Sequence, residues 1–112
     1  MNASSHRPDP SRSPADVAAL VDYQPDAIVS RVVLKTPAGS ITVFAFDAGQ
    51  SLSEHRVPHG ALVHVLDGVA VIALGDVTHH LRTGEALLMP PDAPHTVRAE
   101  SRFKMMLTLL RS

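Results

Sequence analysis

From residue 27 onward, apolar and polar positions alternate with a period of two, and turn signals interrupt the alternation every 8–12 residues or so. Residues 27–36 carry Ile28, Val29, Val32 and Val33, the β-branched content of a strand. Pro37-Ala38-Gly39 then turns the chain. Residues 40–47 place Ile41, Val43 and Ala45 on one face and Phe44 and Phe46 on the other. Ala48-Gly49 breaks the pattern. Residues 61–66 form an apolar run interrupted by His64, and Asp67-Gly68 after it is a hairpin signal. Further strands are expected over Val69–Leu74, 77–81, Ala86–Met89, His95–Arg98 and Phe103–Leu110, with a rigid proline-rich loop over 90–94. The spacing predicts eight or nine short strands in an antiparallel sandwich or barrel.

Ahead of the strands, residues 1–14 are rich in Ser and Pro with little to bury, and read as a disordered tail. Residues 15–21 have a short helical pattern, with Val17, Leu20 and Val21 on one face and Asp16 near the start. The segment is too short to stand alone and is expected to lie against the sheet. Residues 15–112 therefore read as one domain, of a size that buries roughly two-thirds of its unfolded surface. With three Phe, one Tyr and no Trp, the core must come from Val, Leu, Ile, Ala and Met. Val69, Val71 and Ala73 face one way, and Ala70, Ile72 and Leu74 the other, so both faces of that strand are apolar. An isolated barrel would leave one face polar, so a homodimer is expected.

A net charge of -1 argues against a nucleic-acid partner. The absence of cysteine excludes disulfides, thiolate nucleophiles and Cys-based metal sites. No apolar run approaches the roughly 20 residues of a membrane helix, and no secretory pattern opens the chain. The expected location is the cytoplasm, with no membrane partner. Against this plain background the histidines stand out: His55, His59 and His64 fall close together, and His95 follows in Pro-His-Thr. Neutral imidazole suits Zn, Ni, Fe or Cu, so the four together form a candidate centre for a divalent transition metal.

Five residues lie between Gly49 and His55, and Gly68 closes the same stretch. Gly84, Pro90 and His95 repeat a second fixed spacing. With the run Val65-Leu66-Asp67-Gly68, these residues resemble the two motifs of the cupin superfamily. The resemblance covers residues 28–110 and is closest to small, RmlC-like single-domain bacterial cupins. It implies an all-β fold, a single antiparallel double-stranded β-helix or jelly-roll barrel behind a short N-terminal helical or irregular segment. It also implies metal ligation by His55 and His95. The family's second motif histidine falls at Val57 and its glutamate at Ala61, while its second-motif Gly and Asn fall at Asp92 and Ala99.

His59 and His64 are candidate ligands from proximity alone. On an extended strand, positions 55, 57 and 59 would share a face. His59 otherwise reads as a loop residue, and His64 as a buried core or interface histidine. His79-His80 reads as one rim and one surface histidine. Glu54, Glu85 and Asp92 lie near the motifs and read as solvated turn residues. Met89, Met105 and Met106 read as core filling. Val43, Val63 and Leu88 are expected to line the interior, with Arg56, Arg82 and Arg98 at its rim.

Two functions fit. One is a metal-dependent enzyme of dioxygenase or isomerase type, as the resemblance implies, acting on a small molecule inside the barrel. The other is a non-catalytic ligand- or metal-binding module, a sensor or store. Loss of the motif glutamate and second histidine moves weight toward the module.

Overall fold

A computed structural model describes residues 8–111. Residues 1–7 of the expected tail lie outside this range. Residues 8–14 hold a turn in which the Asp9 carbonyl accepts from the Arg12 and Ser13 amides. The 15–21 segment is tighter than the α-helix its pattern suggests: a 3₁₀ turn over Val17–Leu20, capped by the Asp16 carboxylate, which accepts from the Ala18 amide.

Nine strands follow among the described residues: β1 (Ile28–Thr36), β2 (Gly39–Phe46), β3 (Ser51–His55), β4 (Gly60–Asp67), β5 (Val69–Leu74), β6 (Val77–Arg82), β7 (Ala86–Met89), β8 (His95–Arg98) and β9 (Phe103–Leu110). They form two antiparallel sheets, ordered β1-β2-β9-β4-β7 and β3-β8-β5-β6. This is the all-β antiparallel architecture expected from the alternation, in the jelly-roll form that the resemblance implies. β3 is the addition. Its sequence SLSEH carries one apolar residue, so hydrophobic periodicity does not reveal it.

The inner faces of the two sheets share one core. Phe46 stacks on Phe103 with ring centres 4.6 Å apart, and Val63, Val65, Ala70, Ile72, Leu81, Met89, Val97 and Met105 pack around them. Gly68 turns β4 into β5 with φ 75°, where a side chain would meet the Arg102 carbonyl at 2.5 Å.

A second, smaller core lies on the outer face of the five-stranded sheet. There Leu20 and Val21 cover Val43 and Ala45, joined by Val29, Leu66 and Met106. Tyr23 fastens this cover. Its hydroxyl donates to Asp67 at 2.6 Å, and the Arg102 and Lys104 cations lie 4.6 and 5.0 Å from its ring centre. Lys104 also donates to the Ala18 carbonyl at 2.6 Å. Burial, and then the bond to Asp67, raise the Tyr23 phenol above its ordinary value.

Beyond the cover, the outer face bears an apolar row. Registered pairs run Leu34–Ile41, Ile41–Thr108, Thr108–Leu62 and Leu62–Leu88 across all five strands. Leu88 is 65% exposed and Leu62 41%. Two interior expectations are thereby corrected. Val43 is buried beneath the N-terminal cover rather than in the barrel, and Leu88 faces outward; Val63 does line the inner core.

Candidate metal centre

His95 opens β8 on the same face as Val97, so strand alternation carries its imidazole into the barrel, where it is 5% exposed. His55 reaches the same place by a different device. β3 pairs with β8 through Leu52–Val97 and then His55–His95, so three residues of β3 span two of β8. This bulge shifts the parity of the strand. Leu52 faces inward, and three positions later the His55 ring, though exposed, turns to the same side to meet His95, where regular pairing would turn it away.

The two rings meet edge to face, centres 4.1 Å apart, with Nε2 to Nε2 at 2.9 Å. Their opposite nitrogens are held by backbone carbonyls: His55 Nδ1 lies 2.9 Å from the Ser53 oxygen and His95 Nδ1 3.1 Å from the Ala93 oxygen. A carbonyl oxygen accepts and cannot donate, so each Nδ1 must carry the proton to make its bond. Neutral rings in that tautomer present bare Nε2 lone pairs to each other. Lone pairs facing at this distance repel. Either one ring gives up its carbonyl, or a cation relieves the conflict: a proton on one nitrogen or a metal ion shared by both.

The separation fits a shared ion. His55 and His95, their Nε2 atoms 2.9 Å apart, would be close enough to hold one ion together at ordinary imidazole–metal distances of about 2.0–2.1 Å. Backbone carbonyls that fix Nδ1–H and leave Nε2 free are the usual outer support of metal-bound histidine. The surroundings are apolar. Leu74 pairs with His95 across β5 and β8, and Leu52 and Val97 pack below on the main core. Burial lowers the His95 pKa from its ordinary 6.5; the Ala93 carbonyl opposes this and His55 adds to it.

The four-histidine centre expected from the sequence is not gathered. Among the described residues, no group of three or more His, Cys, Asp or Glu side chains is placed to hold a metal ion. His64 lies between the buried Val63 and Val65 on β4, opposite Met106 and Ala86, so it points to the outer face. The irregularity of β4 comes after Val65, too late to turn it inward. His59 does not continue β3. The strand ends at His55, and residues 58–59 form a bend. At the motif's glutamate position, Ala61 packs in the core. His80 sits on the surface 3.9 Å from Glu100, and Glu85 accepts from the Arg82 amide in a turn.

The cupin domain family matches residues 42–110. The chain belongs to the cupin family. Among cupin structures, it is similar to a cupin 2 conserved barrel domain protein from Leptotrichia buccalis: 37% identity, TM-score 0.82, covering 84% of this chain and 46% of that one. A conserved protein of unknown function from Streptococcus pyogenes matches at 29% identity and TM-score 0.87, over 99% of this chain and 98% of the other. Protein SchB of Streptomyces halstedii is 34% identical over 73 residues, which are 64% of this cupin and 53% of SchB. This cupin thus spans about half the length of the curated relative it matches. Among its described residues, no helix is long and apolar enough to cross a membrane.

Proposed function

We propose that this cupin binds one divalent transition-metal ion through His55 and His95 and takes a small molecule at the coordination positions left open. The observation that carries this reading is the pair of bare Nε2 atoms 2.9 Å apart, each backed by a carbonyl on the far side of its ring. Zn, Ni, Fe and Cu suit such donors, whereas Mg and Ca prefer oxygen. When bound, such an ion would polarise an oxygen donor or lower the pKa of a coordinated water.

The chain's own contribution is positional. Ser53 and Ala93 fix the tautomers, and Leu52, Leu74 and Val97 keep the floor of the site dry. With two neutral donors the ion would keep its full charge, which favours an anionic oxygen ligand. Among the described residues, no carboxylate joins the pair in a metal-holding group. That favours the binding module over a dioxygenase- or isomerase-type enzyme. Substrate turnover or oxygen uptake by the loaded protein would reverse this preference.

Elemental analysis of untagged protein tests the site. The expected result is about one equivalent of metal per chain, lost in His55→Ala and in His95→Ala and kept in His64→Ala. Absence of metal after reconstitution at neutral pH sinks the reading, as does retention of metal in both of the first two variants.

We also infer that a second copy of the chain covers the apolar row on the outer face. The row has a shallow groove at one end, lined in part by Leu34, Ile41, Thr108 and Leu110, and the protruding Leu62 and Leu88 at the other. A two-fold axis lying in the interface along β9 sets each groove over the partner's leucines, the self-complementary arrangement of an isologous dimer.

A further inference from the structure

We propose that Asp92, with Arg56, is a positioning residue that sets the gap between the two histidines; this rests on the metal reading above and deepens it. Each histidine stands where a strand meets a loop: residues 56–59 follow His55, and residues 90–94 precede His95. The two loops are tied to each other. The Asp92 amide donates to the Val57 carbonyl at 2.8 Å, and the Arg56 guanidinium approaches the Asp92 carbonyl at 3.4 Å.

These ties close a circuit. From Val57 it crosses to the Asp92 amide and passes to Ala93, whose carbonyl holds His95 Nδ1. It then crosses from His95 Nε2 to His55 Nε2 and returns through Arg56 to Val57. The strand ladder holds the pair from one side, through the His55–His95 register. The loop clasp holds it from the other. Opening the clasp frees the His55 end, because β3 is an edge strand and its ladder to β8 is already broken by the bulge.

The clasp depends on backbone geometry at one position. Asp92 has φ 63°, in the left-handed region that Asp tolerates and β-branched residues resist. The family motif has glycine here, the residue that adopts this conformation most freely. Asp92→Val therefore opposes the conformation that aims the amide at Val57, and Asp92→Gly preserves it.

The test combines zinc titration of the purified protein with ¹⁵N spectra of the imidazoles in the metal-free state. Outer-shell changes of this kind cost about 10–100-fold in metal affinity. Asp92→Val is expected to weaken zinc about tenfold or more and to change the ¹⁵N shifts of the His55 and His95 rings from those of the parent. Asp92→Gly should restore both readouts, and Arg56→Met should produce a smaller loss. Parent-like ring spectra and zinc affinity in folded Asp92→Val overturn the proposal. If that variant does not fold, unchanged ring spectra and affinity in Arg56→Met overturn it instead. If the parent binds no zinc while the ring spectra still change in Asp92→Val and recover in Asp92→Gly, the clasp stands and the metal reading falls.

Discussion

Burial of His95 on the inner face penalises its charged form, so the folded protein resists a proton that the unfolded chain accepts near pH 6.5. The sign of the pH dependence follows. Above the unfolded value both states are neutral at this residue, and His95 adds no slope. As pH falls through that value the unfolded state gains the proton first, so stability drops until the lower folded value is passed. The melting temperature of metal-free protein is expected to fall between pH 7.5 and pH 5, and to fall less in His95→Gln. Equal slopes in the two proteins would show that His95 does not govern the transition. The carboxylates of Asp9 and Asp47 do not confuse this window. Hydrogen bonds, from Ser11 to Asp9 and from the Asp26 amide and Arg102 to Asp47, hold both below the ordinary value of 3.8. At this scale the sequence made His55 and His95 visible, because motif spacing marks both. It could not exclude His64, since one step of strand register reverses the face on which a side chain lies.

The strands themselves were legible wherever one face is apolar. The bounds expected for Val69–Leu74, Ala86–Met89, His95–Arg98 and Phe103–Leu110 match the strands residue for residue. β3 was hidden because it is a mostly exposed edge strand held by backbone pairing, which leaves little hydrophobic trace. Turn chemistry was the other reliable guide. Asp67-Gly68 predicted a hairpin, and the structure adds a second demand on Gly68: both its φ of 75° and the Arg102 carbonyl exclude a side chain. Gly68→Ala is therefore expected to destabilise the fold by about 1–3 kcal/mol, read from urea denaturation. A loss below about 0.5 kcal/mol, the ordinary surface value, would mean that the β4–β5 corner relaxes freely.

At the scale of the molecule, the two faces of the five-stranded sheet have different tasks. The inner face belongs to the barrel, and the outer face is divided between the N-terminal cover and the open leucine row. If a second copy covers that row, Leu62→Glu combined with Leu88→Glu should yield a monomer of unchanged zinc affinity in light-scattering and titration experiments. A parent protein that is monomeric at tens of micromolar concentration would rule the dimer out. The apolar surplus behind this expectation could be read from composition, but the row's placement could not, because it depends on which strands become neighbours. The bulge in β3 has a consequence for inheritance. Loss of a single codon at Ser53 or Glu54 would make the β3–β8 ladder regular and place the first imidazole two positions after Leu52, still on the inner face. Among descendants of this chain, the centre would then survive the loss of one residue between Leu52 and His55, a change that surveys of point substitutions overlook.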